Sequence, residues 1–196
     1  MKKELVADLL LVLLLIVVGS LLRIVFIGYP NVAPTAAFAL FAGARLKHPM
    51  LALLVPLSIC VFSDLYIGGY SLFVTAAVYF SLCLPVLLGM LYRQVKSTQS
   101  SWRAPAGNLA WLTGGTLLGA TLFFLITNGA VWYSSDIAMY SGSFSGLMQC
   151  YAVALPFFRF TLMGDLGFAF ATFGTYALVF RLIGVKQANA EPVVAS

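Results

Sequence analysis

The stretch that decides the fold is Ala33-Pro34-Thr35-Ala36-Ala37-Phe38-Ala39-Leu40-Phe41-Ala42-Gly43-Ala44-Arg45-Leu46, preceded by Pro30 and followed by Lys47 and His48. A helix rises about 1.5 Å per residue, so this run reaches only roughly 20 Å. A transmembrane helix needs about 20 apolar residues. The segment is therefore either a short span or a re-entrant piece. Its neighbours are clearer. Leu5–Gly28, Pro49–Ile67, Ser71–Tyr92 and Leu109–Ala130 are each long and apolar enough to cross a bilayer. A further run, Leu155–Ile183, is interrupted by Arg159 and Asp165.

Basic residues choose between the two readings, because positive loops stay on the cytoplasmic side. If all six segments cross and the N-terminus is inside, then Lys2, Lys3, Arg45, Lys47, Arg93, Lys96, Arg103, Arg181 and Lys186 share the cytoplasmic side. Arg23 and Arg159 alone fall toward the outside, both within apolar sequence. With the N-terminus outside and the short segment re-entrant, every cluster from Arg45 onward keeps its place, and only Lys2, Lys3 and Arg23 change sides. Lys2 and Lys3 flank the first helix directly, which favours six spans. The fold class expected is thus all-α: a polytopic transmembrane bundle of about six spans, the second one short.

Composition agrees. The chain is 62% hydrophobic and 9% charged with a mean hydropathy of +1.00, against about 25% charged residues in a soluble domain. Its net charge of +5 lies in short clusters between apolar runs, with no basic stripe or aromatic platform, so no nucleic-acid partner is expected. The first apolar run follows Lys2 and Lys3 as in a signal peptide, but it is long and lacks a small-x-small cleavage site, and reads as a retained helix. One helical domain is expected over 1–186, with a flexible C-terminal tail over 187–196. Gln94–Gly107 reads as a polar cytoplasmic linker. Trp132–Gln149, rich in Ser, Gly and Tyr, reads as the longest external loop, of the kind that serves as a lid.

Ionisable groups inside apolar runs are costly in lipid and mark candidate sites. Arg23, Asp64 and Arg159 fall toward the outer ends of their helices, and Asp165 lies about two turns deeper than Arg159. Other polar groups share that level: Tyr151, and Asn128 with Trp132 at i and i+4. The competing explanation is mutual neutralisation, two acids pairing two bases to fix helix positions, with the aromatics forming an interface belt. Small-residue pairs, Ala39 with Gly43 and the group Gly114, Gly115, Gly119 and Ala120, suit close helix packing. Cys60, Cys83 and Cys150 have no metal-ligand spacing and read as small core residues. His48 is a solvated residue of the basic cluster. There is no phosphate-binding glycine loop, no zinc constellation and no nucleophile with a base. Leu162-Met163-Gly164-Asp165 lacks the first glycine of an intramembrane aspartyl-protease element. No enzyme activity, cofactor or metal is expected.

Four motifs taken together carry a resemblance: Asn31-Val32-Ala33-Pro34 running into Gly43; Ser63-Asp64-Leu65 followed by Gly68; Thr127-Asn128-Gly129-Ala130-Val131-Trp132; and Ala154-Leu155-Pro156-Phe157-Phe158-Arg159 running into Gly164-Asp165. They resemble an uncharacterised family of bacterial six-helix membrane proteins, itself similar to the substrate-binding (S) components of energy-coupling-factor (ECF) vitamin transporters. That resemblance implies a helical bundle of the inner membrane with both termini cytoplasmic. Its pocket, near the outer face, would bind a vitamin or precursor. An ECF coupling protein and ATPases would be its partners. Arg23, Asn31, Asp64, Asn128, Trp132, Tyr151, Arg159 and Asp165 would line the pocket. Arg23 and Arg159 would meet anionic groups, and Trp132 would stack on a ring. The alternative is a non-transporting membrane subunit or scaffold whose buried charges are structural.

Overall fold

The computed structural model describes residues 2–29, 31–69, 71–98, 104–134 and 139–190. Regular structure among them is helical: α1 (Lys2–Val25), α2 (Thr35–Arg45), α3 (Pro49–Ile67), α4 (Leu72–Thr98), α5 (Ala104–Ser134) and α6 (Phe144–Ala190). All except α2 contain a stretch long and apolar enough to span a bilayer. Leu10, Leu13 and Leu14 of α1, Leu65 of α3 and Phe80 of α4 are exposed on the outside of the bundle. In water such a surface would aggregate; in a bilayer it faces lipid. This is a membrane protein.

Proline sets the length of α2. Pro34 precedes it, and the first helical bond runs from the Phe38 N–H to the Pro34 carbonyl at 2.8 Å. At the other end Leu46 turns to extended backbone after its N–H has closed on Ala42. His48 is extended as well, as a residue before proline prefers, and Pro49 opens α3. At 11 residues, α2 is about 16 Å long. Chain direction follows from two contacts. Lys47 lies 3.7 Å from Glu4 at the start of α1, and Arg93, late in α4, donates to the Leu46 carbonyl. The segment between α1 and α3 therefore returns to the end of the bundle where α1 began, the basic end. A re-entrant piece would have returned to the Val25 end instead. Among the described residues five helices are long and apolar enough to cross, and the connector with α2 makes the return between α1 and α3.

The short helix is the centre of the molecule. Thr35 and every residue from Ala37 to Ala44 are buried, and Phe38, Ala39, Phe41 and Ala42 form one core cluster with Val12 and Ile16 of α1, Val55 and Ile59 of α3 and Val86 of α4. Small residues make this possible. A Cβ on Gly43 would fall on the Val86 carbonyl, and one on Gly89 would fall on the Leu40 carbonyl, so α2 and α4 meet backbone to backbone. In α5, Gly119 packs on Pro85, whereas Gly114 faces open space.

Three sequence expectations change. The external loop is shorter than Trp132–Gln149, because α5 runs on to Ser134 and α6 begins at Phe144. Its composition suggests a loop, but Ser143 caps the helix: its Oγ accepts from the Gly146 N–H at 3.3 Å, and its carbonyl from Leu147 at 3.1 Å. Residues 135–138 of that loop lie outside the described residues. The linker expected over Gln94–Gly107 is helical through Thr98 and from Ala104, with 99–103 outside the described residues. Helix α6 continues to Ala190, so 187–190 of the expected tail are helical, and 191–196 lie outside the described residues.

Candidate functional site

After α1 the chain does not enter α2 directly. It winds through a series of tight turns, with Tyr29 donating to the Phe26 carbonyl at 2.9 Å and Val32 to the Tyr29 carbonyl at 3.2 Å. Asn31 holds a left-handed φ of 59°, a conformation that asparagine tolerates better than most side chains. The connector thereby dips into the bundle, where Gly164 of α6 packs on Val32 and Phe26 meets Phe168 edge-on at 5.7 Å. Above the start of α2 this leaves a cavity of about 420 Å³, to which every helix contributes. That volume lies within the range of small-molecule sites, roughly 300–1,000 Å³.

Its walls are mostly apolar. Val74, Val78 and Leu82 come from α4, Phe123, Phe124 and Val131 from α5. Ile27, Tyr29 and Asn31, on the connector, line it and are themselves exposed. The polar groups are few: Arg23, Asn31, Thr35, Thr127, Asn128, Thr161 and Asp165. Asn128 and Thr127 are both anchored on α5, the Asn128 amide donating to the Phe124 carbonyl and the Thr127 hydroxyl to the Phe123 carbonyl, each at 2.8 Å.

Arg23 is already matched. One guanidinium nitrogen lies 3.1 Å from the Asp64 carboxylate, and another donates to Ser63 Oγ at 2.9 Å. Tyr79 of α4 donates to the second Asp64 oxygen at 2.9 Å. Ser63 in turn donates to the Ile59 and Cys60 carbonyls at 2.7 and 3.1 Å. The group ties α1, α3 and α4 together at the end opposite the basic one, and Asp64 is held there rather than in the cavity wall. Asp165 is different. It is 4% exposed and has no ion-pair or hydrogen-bond partner among the described residues.

Of the residues expected from sequence, Arg23, Asn31, Asn128 and Asp165 line one cavity. Trp132, Tyr151 and Arg159 stand outside it. The Trp132 indole donates to the Ser141 carbonyl at 3.0 Å, holding the start of α6 against α5. Tyr151 donates to the Leu125 carbonyl at 2.8 Å, with its ring 5.7 Å from Phe124, so it backs a cavity wall from behind. Arg159 is exposed, its guanidinium 4.7 Å from the Phe160 ring centre. Three cavity threonines were not singled out from sequence. Thr161 was detectable, since it stands four residues before Asp165 on the same helix face; Thr127 directly precedes Asn128. Nothing in the sequence marks Thr35.

The chain belongs to a family of unknown function, DUF6580, which matches residues 3–189. No curated protein and no solved structure matches the chain.

Proposed function

We propose that this DUF6580 member is the substrate-binding component of a membrane uptake system for a small micronutrient, a vitamin or vitamin precursor. The observation that carries this reading is the cavity: about 420 Å³, apolar in its walls, with a few polar groups converging near the start of α2. Binding sites have this design, apolar area for affinity and sparse polar groups for orientation. The four motifs contribute Asn31, Asn128 and Asp165 to that cavity, and the six-helix membrane family that they resemble is itself similar to S components of ECF transporters, which supports the same reading. Energy would come from an ECF coupling protein and its ATPases. The bundle would sit in the bacterial inner membrane with the basic end and both termini cytoplasmic and the cavity toward the outside. A reporter fused to the N-terminus is expected to be active only in the cytoplasm; periplasmic activity would invert the bundle and place the cavity on the wrong face for uptake.

The expected result of a ligand screen is thermal stabilisation of the detergent-purified protein by one or a few vitamins or precursors. A compound present at 100 times its Kd adds about 2.7 kcal/mol. A second reading, a non-transporting subunit or scaffold, is favoured by one observation: Arg23 and Asp64 neutralise each other, as structural charges do. The scaffold reading prevails if no compound in such a screen raises the melting temperature.

A further inference from the structure

We infer that the ligand of this cavity is a small organic cation, such as a protonated amine, held against Asp165. The inference deepens the binding reading above and rests on it. It reverses the sign expected from sequence, where two arginines were to meet an anionic group.

The charge balance of the cavity gives the sign. Among the described residues two charged side chains line it, Arg23 and Asp165. Arg23 is spent on Asp64 and Ser63, and Arg159 lies outside. What remains uncompensated is an acid, buried and facing space. A charged group left unpaired in a low-dielectric interior is costly, and a cation seated beside it removes that cost. The neighbouring surface indicates which kind of cation. Phe26, Tyr29, Phe123 and Phe124 supply aromatic walls, which suit an organic body and attract positive charge over their faces. Among the described residues no group of three or more His, Cys, Asp or Glu side chains could hold a metal ion.

A second unpartnered group shapes the other end of the ligand. Thr35 is 1% exposed, and its hydroxyl has no hydrogen-bond partner among the described residues. It lines the cavity at the first residue of α2, where helix N–H groups lack intrahelical acceptors and the helix dipole is positive. Hydroxyl and N–H groups together would take an acceptor oxygen. The ligand is thus a compact molecule with a cationic nitrogen toward Asp165 and an oxygen toward Thr35.

The test uses the full chain in detergent and probes that share a skeleton but differ in charge: pyridoxamine beside pyridoxine and 4-pyridoxic acid, and tyramine beside N-acetyltyramine and 4-hydroxyphenylacetate. The amines are expected to raise the melting temperature and the acids to leave it unmoved. Asp165→Asn should weaken amine binding about 10- to 100-fold, the range of one hydrogen bond to a charged group. Without ligand it should melt at or above wild type, because the unpaired charge is gone. Thr35→Val should weaken the same amines by about tenfold, which locates the site even if Asp165→Asn does not fold. Stabilisation by the acids, by sodium chloride alone, or by amines equally in wild type and Asp165→Asn would overturn the inference and leave the binding reading standing. A flat wild-type response to all six probes would overturn the inference, while the wider screen of vitamins and precursors decides the binding reading.

Discussion

Protein carrying Gly43→Val is expected to lose most of its folded yield and to melt far below wild type in detergent. A Cβ at Gly43 meets the Val86 main chain, and Gly89 presents the reciprocal contact to Leu40, Gly43 and Ala44. Neither neighbour is a side chain that can turn away. The two helices would have to separate, and α2 has little freedom to move, since it is buried along almost its whole length. Overpacking of an ordinary core costs about 1–3 kcal/mol; a clash of backbone with backbone at the centre of a bundle belongs at or above the upper limit. Gly89→Ala should behave alike, and Gly43→Ala/Gly89→Ala should cost less than the sum of its parts, because one separation relieves both clashes. Gly114→Ala is the control. Nothing lies within 4 Å of a Cβ there, and a helical alanine is favoured over glycine by about 1 kcal/mol, so this variant should match or slightly exceed wild type. Equal melting temperatures for Gly43→Val and wild type would disprove the close contact of α2 with α4.

Hydropathy made the five long helices legible, because lipid demands a run of apolar residues whatever the tertiary packing. It could not place α2 at the centre. Side chains facing lipid and side chains facing other helices are equally apolar, so Leu13 and Leu15 of α1 look alike in sequence, yet Leu13 is exposed and Leu15 buried. The small residues Ala39 and Gly43 did carry the signal. The loop after Trp132 misled because serine and glycine serve both as loop residues and as helix caps, and only the Ser143 contact distinguishes the two uses. The site was legible to the same partial degree. Depth along a helix can be counted, so Arg23 and Asp165 were found. Direction around a helix was the missing term. Arg159 and Asp165 stand six residues apart, which at about 100° per residue turns them roughly 120° from each other; one faces outward and the other inward. Pairing was beyond reach, because which acid neutralises Arg23 depends on how α1 and α3 cross.

That pairing leads to the second large effect. Arg23→Met is expected to destabilise the protein by about 3 kcal/mol, since removing one partner of a buried pair leaves the other charge uncompensated. The side chains of Arg23 and Asp64 are 16% and 17% exposed, which keeps the cost toward the lower end of that class. Tyr79 still donates to Asp64 in this variant, but one neutral donor does not replace a guanidinium. Asp64→Leu should cost a similar amount, by stranding Arg23 with only Ser63. Arg23→Met/Asp64→Leu should recover to within about 1 kcal/mol of wild type, because two apolar side chains in place of an ion pair are often neutral. Melting temperatures of the four proteins close the cycle, and a double variant as damaged as the two single losses combined would show that the residues act independently. The same double variant also separates structure from binding. If Arg23 and Asp64 only tie α1 to α3, a cavity that recognises its ligand through Asp165 still binds pyridoxamine when both are gone. If binding disappears while the fold is retained, the pair shapes the cavity as well as tying α1 to α3.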